Sequence, residues 1–249
     1  MDWSKKRLAR IEEFEDFSSK KFSSLSNYII KLHLKDFSSI RKNFFHSFYD
    51  EGFKDCMEET AKGLIKQGYV SNFAWTNLGT IALYYKNVGH MANIMDLTST
   101  LASEASVKLT YYFGREHNIN CVFKTKVASV PTVNDAVLYY MWLREMAQNS
   151  ILQHAVRYTA EKEETNLTTK ELRHLNFANK KELKATARKL DIYIPEGILH
   201  GSYIYYSKEK VTIKPYDIVK KVKILHCTDV NPYYEKDLLA FLKERIESL

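Results

Sequence analysis

The stretch "YIIKLHLKDFSSI" (Tyr28–Ile40) reads as a buried β-strand that breaks at its C-terminal end. Ile30, Leu32 and Leu34 alternate with Lys31, His33 and Lys35, the period of two that a half-buried strand demands. Asp36 and the serines after it end the alternation, so a loop is expected there. A strand that runs into a polar loop ahead of a helix is a frequent location for chemistry in mixed α/β proteins. What this strand end holds, and which strands lie beside it, decides both fold and function.

Outward from the strand, "DEGFKDCMEETAKGLIKQGY" (Asp50–Tyr69) is an amphipathic helix pattern, acidic early and basic late as the helix dipole prefers. Two short strands follow, "SNFAWT" and "TIALYY", divided by the turn signal "NLG" (Asn77–Gly79). The next element is a long helix, "GHMANIMDLTSTLASEASVKLTYYF", with Met91, Ile94, Met95, Leu101, Ala105, Leu109 and Tyr112 as its apolar stripe. "CVFKTKVASVP" (Cys121–Pro131) is a further strand. The order β-α-β-β-α-β specifies an α+β fold with a palm-like ferredoxin core, an antiparallel sheet with two helices on one face. Polymerase palms, nucleotide cyclases and RNA-binding modules share that arrangement, so it fixes no function by itself. Further helices are expected at Ser4–Phe17, Val133–Thr159, Thr169–Leu175, Lys180–Leu190 and Glu235–Glu247, with a hairpin at Gly201–Pro215. The chain is thus expected to divide into a palm-like βαββαβ core with an N-terminal helix (1–131) and a helical extension carrying a β-hairpin (132–249), packed on the core.

The 249 residues, 45% of them hydrophobic, suffice for a sizeable core. The richest apolar run, "VLYYMWL" (Val137–Leu143), is far shorter than the roughly 18 residues of a membrane span. The N-terminal "MDWSKKRLARIEEFEDF" is charged and amphipathic without an apolar signal core, so no export is expected and a cytoplasmic location is. Cys56, Cys121 and Cys227 lie far apart with no CxxC spacing and are expected to be reduced, buried thiols. A net charge of +7 gives a mild tilt toward phosphate-bearing partners. No GxSxG, GxxxxGK[ST] or HExxH motif occurs.

Several short stretches follow one another in a particular order: "STLASEASVKLTYYFG", "VFKTKVASVP", "YYMWLREMAQNSI", "KELRHLNFANKKEL" and "LDIYIPEG". Together they resemble the tRNA-histidine guanylyltransferase family, the 3′-to-5′ nucleotide polymerases, and especially its short bacterial and phage-type members. In that family an L-A-G-x-A-S helix precedes an F-D-x-R strand ending in proline. A W-R-Q-x-D-A-x-R-N-S-I helix, a K-E-L-H-G-K-S turn and a G-I-N-W segment come after. On the resemblance, Lys124 stands at the acid of F-D-x-R and Lys126 at its arginine. Glu145 stands at the acid of the following helix, and Asn149, Ser150 and Ile151 match its closing triplet. "LNFAN" (Leu175–Asn179) replaces the H-G-K-S phosphate turn. The resemblance runs from Tyr28 to Tyr206.

The resemblance implies two magnesium ions, which family members hold with a carboxylate at the end of the first strand (R-x-D-G) and an Asp-Glu pair at the next hairpin (S-D-E). Two divalent ions about 3.5–4 Å apart require several hard, anionic oxygens. In this chain the first acid falls on His33, its glycine on Leu34, and the Asp-Glu pair on Gly79 and Thr80. No Asp or Glu occurs between Phe17 and Lys35 or between Tyr69 and Met95. Asp36 is the only acid nearby, and one carboxylate beside one histidine does not replace that set for magnesium. His33, Leu34, Gly79 and Thr80 are therefore degenerate positions. No catalytic residue or metal ligand is assigned and no cofactor is expected; magnesium and GTP enter only if the family activity is retained.

What the resemblance leaves is binding. The candidate RNA- or nucleotide-binding residues are Lys35, Lys124, Lys126, Arg144, Gln148, Asn149, Lys180, Lys181, Lys184 and Arg188. Arg144, Glu145, Gln148 and Asn149 form a polar stripe on an otherwise apolar helix. Clustered lysines neutralise phosphates, and a second group (Lys208, Lys210, Lys214, Lys220, Lys221, Lys223) is interleaved with Tyr203, Tyr205 and Tyr206. The expected function is a catalytically degenerate pseudoenzyme that binds tRNA or other RNA or forms oligomers. Family members assemble as tetramers, so a homo-oligomer or a hetero-oligomer with a paralogue is expected, and no membrane. The alternatives are an active nucleotidyltransferase, adding nucleotides to an RNA 5′ end through a relocated metal site on Asp36, Glu104 or Glu145, and a regulatory subunit of an active paralogue.

Overall fold

Strand β1 (Asn27–Leu34) alternates as its sequence dictates: Tyr28, Ile30, Leu32 and Leu34 enter one core while His33 on the opposite side is exposed. The computed structural model describes residues 26–67, 71, 73–86, 94–162, 180–213, 218–228 and 235–247. After β1 come helices α1 (Phe37–Phe44) and α2 (Glu51–Lys66), strands β2 (Phe73–Asn77) and β3 (Thr80–Tyr85), helix α3 (Ile94–Leu109) and strand β4 (Phe123–Val130). Helices α4 (Val133–Lys162), α5 (Lys180–Lys189) and α6 (Glu196–His200), strands β5 (Ser202–Ile213) and β6 (Ile218–Thr228), and helix α7 (Glu235–Glu247) complete the order.

The six strands form one sheet in the order β4-β1-β3-β2-β5-β6. Every neighbouring pair is antiparallel. The first four strands have the order of the expected palm-like α+β core, so β1 lies at its centre between β3 and β4. Helices α2 and α3 cover one face, packing Met57, Ala61, Leu64, Leu101, Ala105 and Leu109 on Ile30, Leu32, Leu34, Leu83 and Val127. Helices α4 and α7 cover part of the other, packing Tyr139, Tyr140, Leu143, Leu238, Leu242 and Ile246 on Ile29, Phe73, Trp75, Tyr84, Ala128 and Tyr203. A smaller cluster joins Leu152 and Val156 of α4 to Leu183 and Ala187 of α5. Among the described residues no helix is long and apolar enough to cross a membrane.

Three local expectations change. The loop after β1 is only two residues long, Lys35 and Asp36: Asp36 takes a left-handed conformation (φ 56°), and Phe37 starts α1. The Asp36 carbonyl, not its side chain, meets the first turn by accepting from Ser39 and Ile40 N–H. Along α3, Met95 is 70% exposed and Tyr112 39%, and the core takes Leu97 and Phe113 instead. A wider π-type turn at Thr110–Gly114 brings Phe113 onto the buried side. Gly201–Pro215 is not a hairpin in itself, because β5 continues through Ile213 and its partner is β6. The helices expected at Ser4–Phe17 and Thr169–Leu175, and Lys214, lie outside the described residues.

The hairpin is tied to the core through Glu58 of α2, which accepts hydrogen bonds from Lys54 Nζ, Ser202 Oγ and Cys227 Sγ. Burial would raise the Glu58 carboxyl, but the bonds from Lys54, Ser202 and Cys227 outweigh it and hold it below the usual carboxylate range. Gly201 makes the junction between α6 and β5 possible. Its φ of +74° with ψ near 177° is a conformation open in practice only to glycine, and a Cβ there would lie 2.5 Å from the Thr76 carbonyl oxygen. Gly201→Ala is expected to destabilise the fold by about 2 kcal/mol or more, read as a lower urea midpoint.

Candidate functional site

Antiparallel register sorts the side chains of the second sheet face into rows. One row, at the end of β1, runs Lys124, His33, Thr80, Asn77 across β4, β1, β3 and β2. The next runs Lys126, Lys31, Ala82, Trp75, Tyr203 and extends onto β5. The row after that, Ala128, Ile29, Tyr84, Phe73, Tyr205, is apolar and lies beneath α4 and α7. The roof therefore stops short of the strand end, where Lys124, Lys126 and His33 are exposed.

The positions singled out in sequence meet here. His33 pairs with Thr80 across the β1–β3 ladder, and its Nδ1 lies 3.2 Å from Thr80 Oγ1. The Leu34 N–H donates to the Gly79 carbonyl at 2.7 Å, closing the β2–β3 turn onto β1. Burial, followed by Lys31, Lys126 and Lys124, holds the His33 imidazole below its ordinary value, so it is neutral at pH 7. Asp36 is exposed and its carboxylate lies 3.9 Å from Lys35 Nζ. The donor set at the strand end, one neutral imidazole, one hydroxyl and three ammonium groups, does not fit a pair of magnesium ions. Among the described residues no cluster of three or more His, Cys, Asp or Glu side chains is arranged around a common point for a metal.

A second polar cluster forms where α4 meets α6. Arg144 Nε and Nη2 lie 3.0 and 2.6 Å from His200 Nδ1, and Gln148 Nε2 lies 2.6 Å from the same nitrogen. His200 Nε2 is 2.8 Å from Glu196 Oε2. With donors crowding Nδ1, the ring must be neutral and carry its hydrogen on Nε2, which donates to Glu196. Burial, then Arg144, Lys180 and Lys184, push the His200 imidazole down to about 3. Its backbone carbonyl accepts from Trp75 Nε1 at 3.1 Å, joining the cluster to the sheet rows. Arg144 and Gln148 thus turn toward protein, and Asn149 Oδ1 is buried without a hydrogen-bond partner. Lys180 pairs with Glu145 at 3.7 Å. Lys181, Lys184 and Arg188 are exposed on α5, opposite its buried Leu183 and Ala187. The proposed binding residues therefore fall into two groups, Lys124 and Lys126 on the sheet and Lys181, Lys184 and Arg188 on α5, with Lys35 at the rim of the first.

No family model matches the chain. Nor does any curated protein. Solved structures do match. A bacterial tRNA(His) guanylyltransferase-like protein in complex with GTP aligns over 96% of this chain and 97% of its own, with a TM-score of 0.65 at 14% identity. The ATP complex of a bacterial protein of that description covers 96% and 98%, also with a TM-score of 0.65 and 14% identity. The tRNA(His) guanylyltransferase from Saccharomyces cerevisiae covers 88% and 94%, with a TM-score of 0.61 and 15% identity. This chain has the fold of the tRNA(His) guanylyltransferases.

On that guanylyltransferase fold, several participants carry no sequence motif. His200 and Glu196 belong to a short helix, and the His200 partners Arg144 and Gln148 are more than fifty positions away from it. Lys31 was visible in the alternation of β1, but its place opposite Lys126 requires the strand order. A narrow aromatic cleft of Phe37, Phe45, Tyr49 and Phe53 beside the β2–β3 turn is assembled from α1, α2 and the segment between them. The thiols offer no nucleophile. Burial pushes Cys121 up to about 11; burial and then Glu58 push Cys227 up to about 12; burial and nearby acids raise Cys56. All three are free; Cys121 is buried, and Cys56 and Cys227 are half-buried.

His154 is pushed down to about 4 by burial, then Arg41 and Arg157, so like His200 it is half-buried and neutral. Below about pH 6.5 the unfolded chain takes protons that these folded imidazoles refuse. Stability is expected to be fully present above about pH 7 and to fall as pH drops toward about 4, with His154→Gln flattening part of that slope; urea midpoints across pH measure it.

Proposed function

We propose that this chain is a divergent member of the tRNA(His) guanylyltransferase family that binds RNA and does not perform magnesium-dependent nucleotidyl transfer. One observation carries the proposal. His33, Gly79 and Thr80, which on the sequence resemblance fall at the family's carboxylate positions, lie together at one strand end, with Lys31, Lys124 and Lys126 beside them. A site of this fold that lost its acids by drift has no reason to gain cations. Here Lys31, Lys124 and Lys126 reverse the sign of the local field, which opposes divalent cations and favours phosphates. The exposed Lys181, Lys184 and Arg188 on α5 would add a second contact to the backbone of a nucleic acid.

Labelled GTP supplied with magnesium and tRNA is expected to stay at background incorporation; robust metal-dependent addition overturns the proposal. Mobility-shift titrations across salt are expected to give a steep negative slope of log K against log salt. For single-stranded RNA the double variant Lys124→Ala/Lys126→Ala is expected to lower that slope by about 1.4, roughly 0.7 per phosphate contact.

Self-association is a second role supported by a specific surface. Val107 and Tyr111, one turn apart, are 69% and 64% exposed, and Val122 beside the edge strand β4 is 48% exposed. Light scattering after size exclusion, with Tyr111→Lys as the comparison, tests it. A monomer at all concentrations removes this role and leaves RNA binding untouched.

A further inference from the structure

The second half of α4 leaves the sheet. Leu152 and Val156 pack on α5, and another side of the helix meets the segment that follows α1. There the Tyr158 hydroxyl donates to the His46 carbonyl at 2.6 Å, and its ring meets Phe48 edge-on at 6.3 Å. His154, Arg157 and Tyr158 stand at i, i+3 and i+4, so they share one side of α4. Arg41 lies in the last turn of α1, whose end is fixed by the Phe45 N–H donating to the Arg41 carbonyl. The Tyr158 tether thus gathers three basic groups between two helices, and Arg41 and Arg157 are the charges that act on the His154 ring.

The cluster has no counterion of its own. Arg41 is half-buried, its Nε is enclosed without an acceptor, and its guanidinium carbon lies 5.7 Å from the centre of the Phe37 ring. Burial lowers the Arg41 guanidinium to about 10, so it stays charged at pH 7, and no acid offsets the cost of enclosing it. Among the described residues no carboxylate lies within ion-pair distance of Arg41 or Arg157, Glu161 one turn along α4 included. The His154 ring has no hydrogen-bond partner there either. Lys162 Nζ, 4.9 Å from the centre of the Tyr158 ring, places a further cation at the rim. Two guanidinium forks and one imidazole N–H are all donors, and a single oxyanion with more than two oxygens answers them together.

We propose that Arg41, His154 and Arg157 bind one phosphate group. Its source is the backbone of an RNA or a free phosphate; both present the same oxygens. For its RNA source the inference rests on the RNA-binding proposal above, but the site draws on α1 and α4 and not on the sheet rows that carry Lys124 and Lys126. Each guanidinium grips phosphate oxygens in pairs, and the His154 ring donates on the remaining side.

Thermal melts in sodium phosphate and in sodium chloride at equal ionic strength test the site, and mobility shifts of a single-stranded RNA across salt test its source. Phosphate is expected to raise the melting temperature by a few degrees over chloride, and Arg41→Gln and Arg157→Gln each to abolish that gain. Two variants are used so that a failure of one to fold leaves the other as the test. Each is also expected to flatten the RNA salt slope by about 0.7, the share of one phosphate, and Arg41→Lys to restore it, because charge sets that slope. A phosphate gain that the variants lose, with an unchanged RNA slope, supports the site and assigns it to free phosphate. A flattened slope without a phosphate gain supports it and assigns it to the RNA backbone. A phosphate gain that persists in both variants, or no gain and no change in slope, overturns the inference and leaves general RNA binding standing. So does a slope that Arg41→Lys lowers as much as Arg41→Gln. A phosphate gain lost in the variants, with no RNA bound by the unaltered chain in any salt, keeps the site and removes the RNA proposal.

Discussion

The register of β1 is the constraint on which the rest depends. It is hydrogen-bonded to β3 on one edge and β4 on the other, so each of its residues fixes a position on two neighbours. A slip by one residue would carry Ile30, Leu32 and Leu34 out of the core and drive Lys31 and His33 into it. Burial of the first set, each fully enclosed, makes that slip cost several kcal/mol, at roughly 1.5–3 kcal/mol per large apolar side chain. The same hydrophobic pattern that secures the fold therefore sets which polar groups meet at the strand end.

The two faces of the sheet are treated differently. Helices α2 and α3 give one face a continuous roof in which every second residue of β1 is apolar. On the other face α4 and α7 cover the lower rows, where Ala128, Ile29, Tyr84 and Phe73 are apolar, and the cover ends where the rows turn basic. Trp142 marks the edge of the roof, with Lys31 lying against its ring. The change from apolar to charged rows occurs within two residues on β1 and β4 alike, so sequence and roof agree row by row.

Much of the fold was legible because period-two and period-3.6 patterns are local. The alternation of β1, the "NLG" turn and the amphipathic α2 each carry their own signal, and their order sufficed for the first four strands of the sheet. Helix α1 was hidden because Asp36, Ser38 and Ser39 are loop-forming types, although Phe37, Ile40 and Phe44 keep helical spacing. The long β5–β6 pairing was hidden because its outer residues are lysine-rich, and lysine carries little β-propensity. At the candidate site, the degenerate positions were visible as missing acids. What replaced them was not visible, since the grouping of Lys31 with Lys126, or of His200 with Arg144, is a property of tertiary neighbours far apart in the chain.

The hydrogen bonds converging on Glu58 have a consequence for taking the molecule apart. Removing the chain from Ser202 onward would strand a buried anion with Lys54 as its remaining described donor, and would lay bare the edge of β2 along with Trp75 and Phe73. The last two strands are thus not an ornament on a self-sufficient palm. They behave as a keystone, and any shortened version meant to isolate the front half would have to bring a substitute for them.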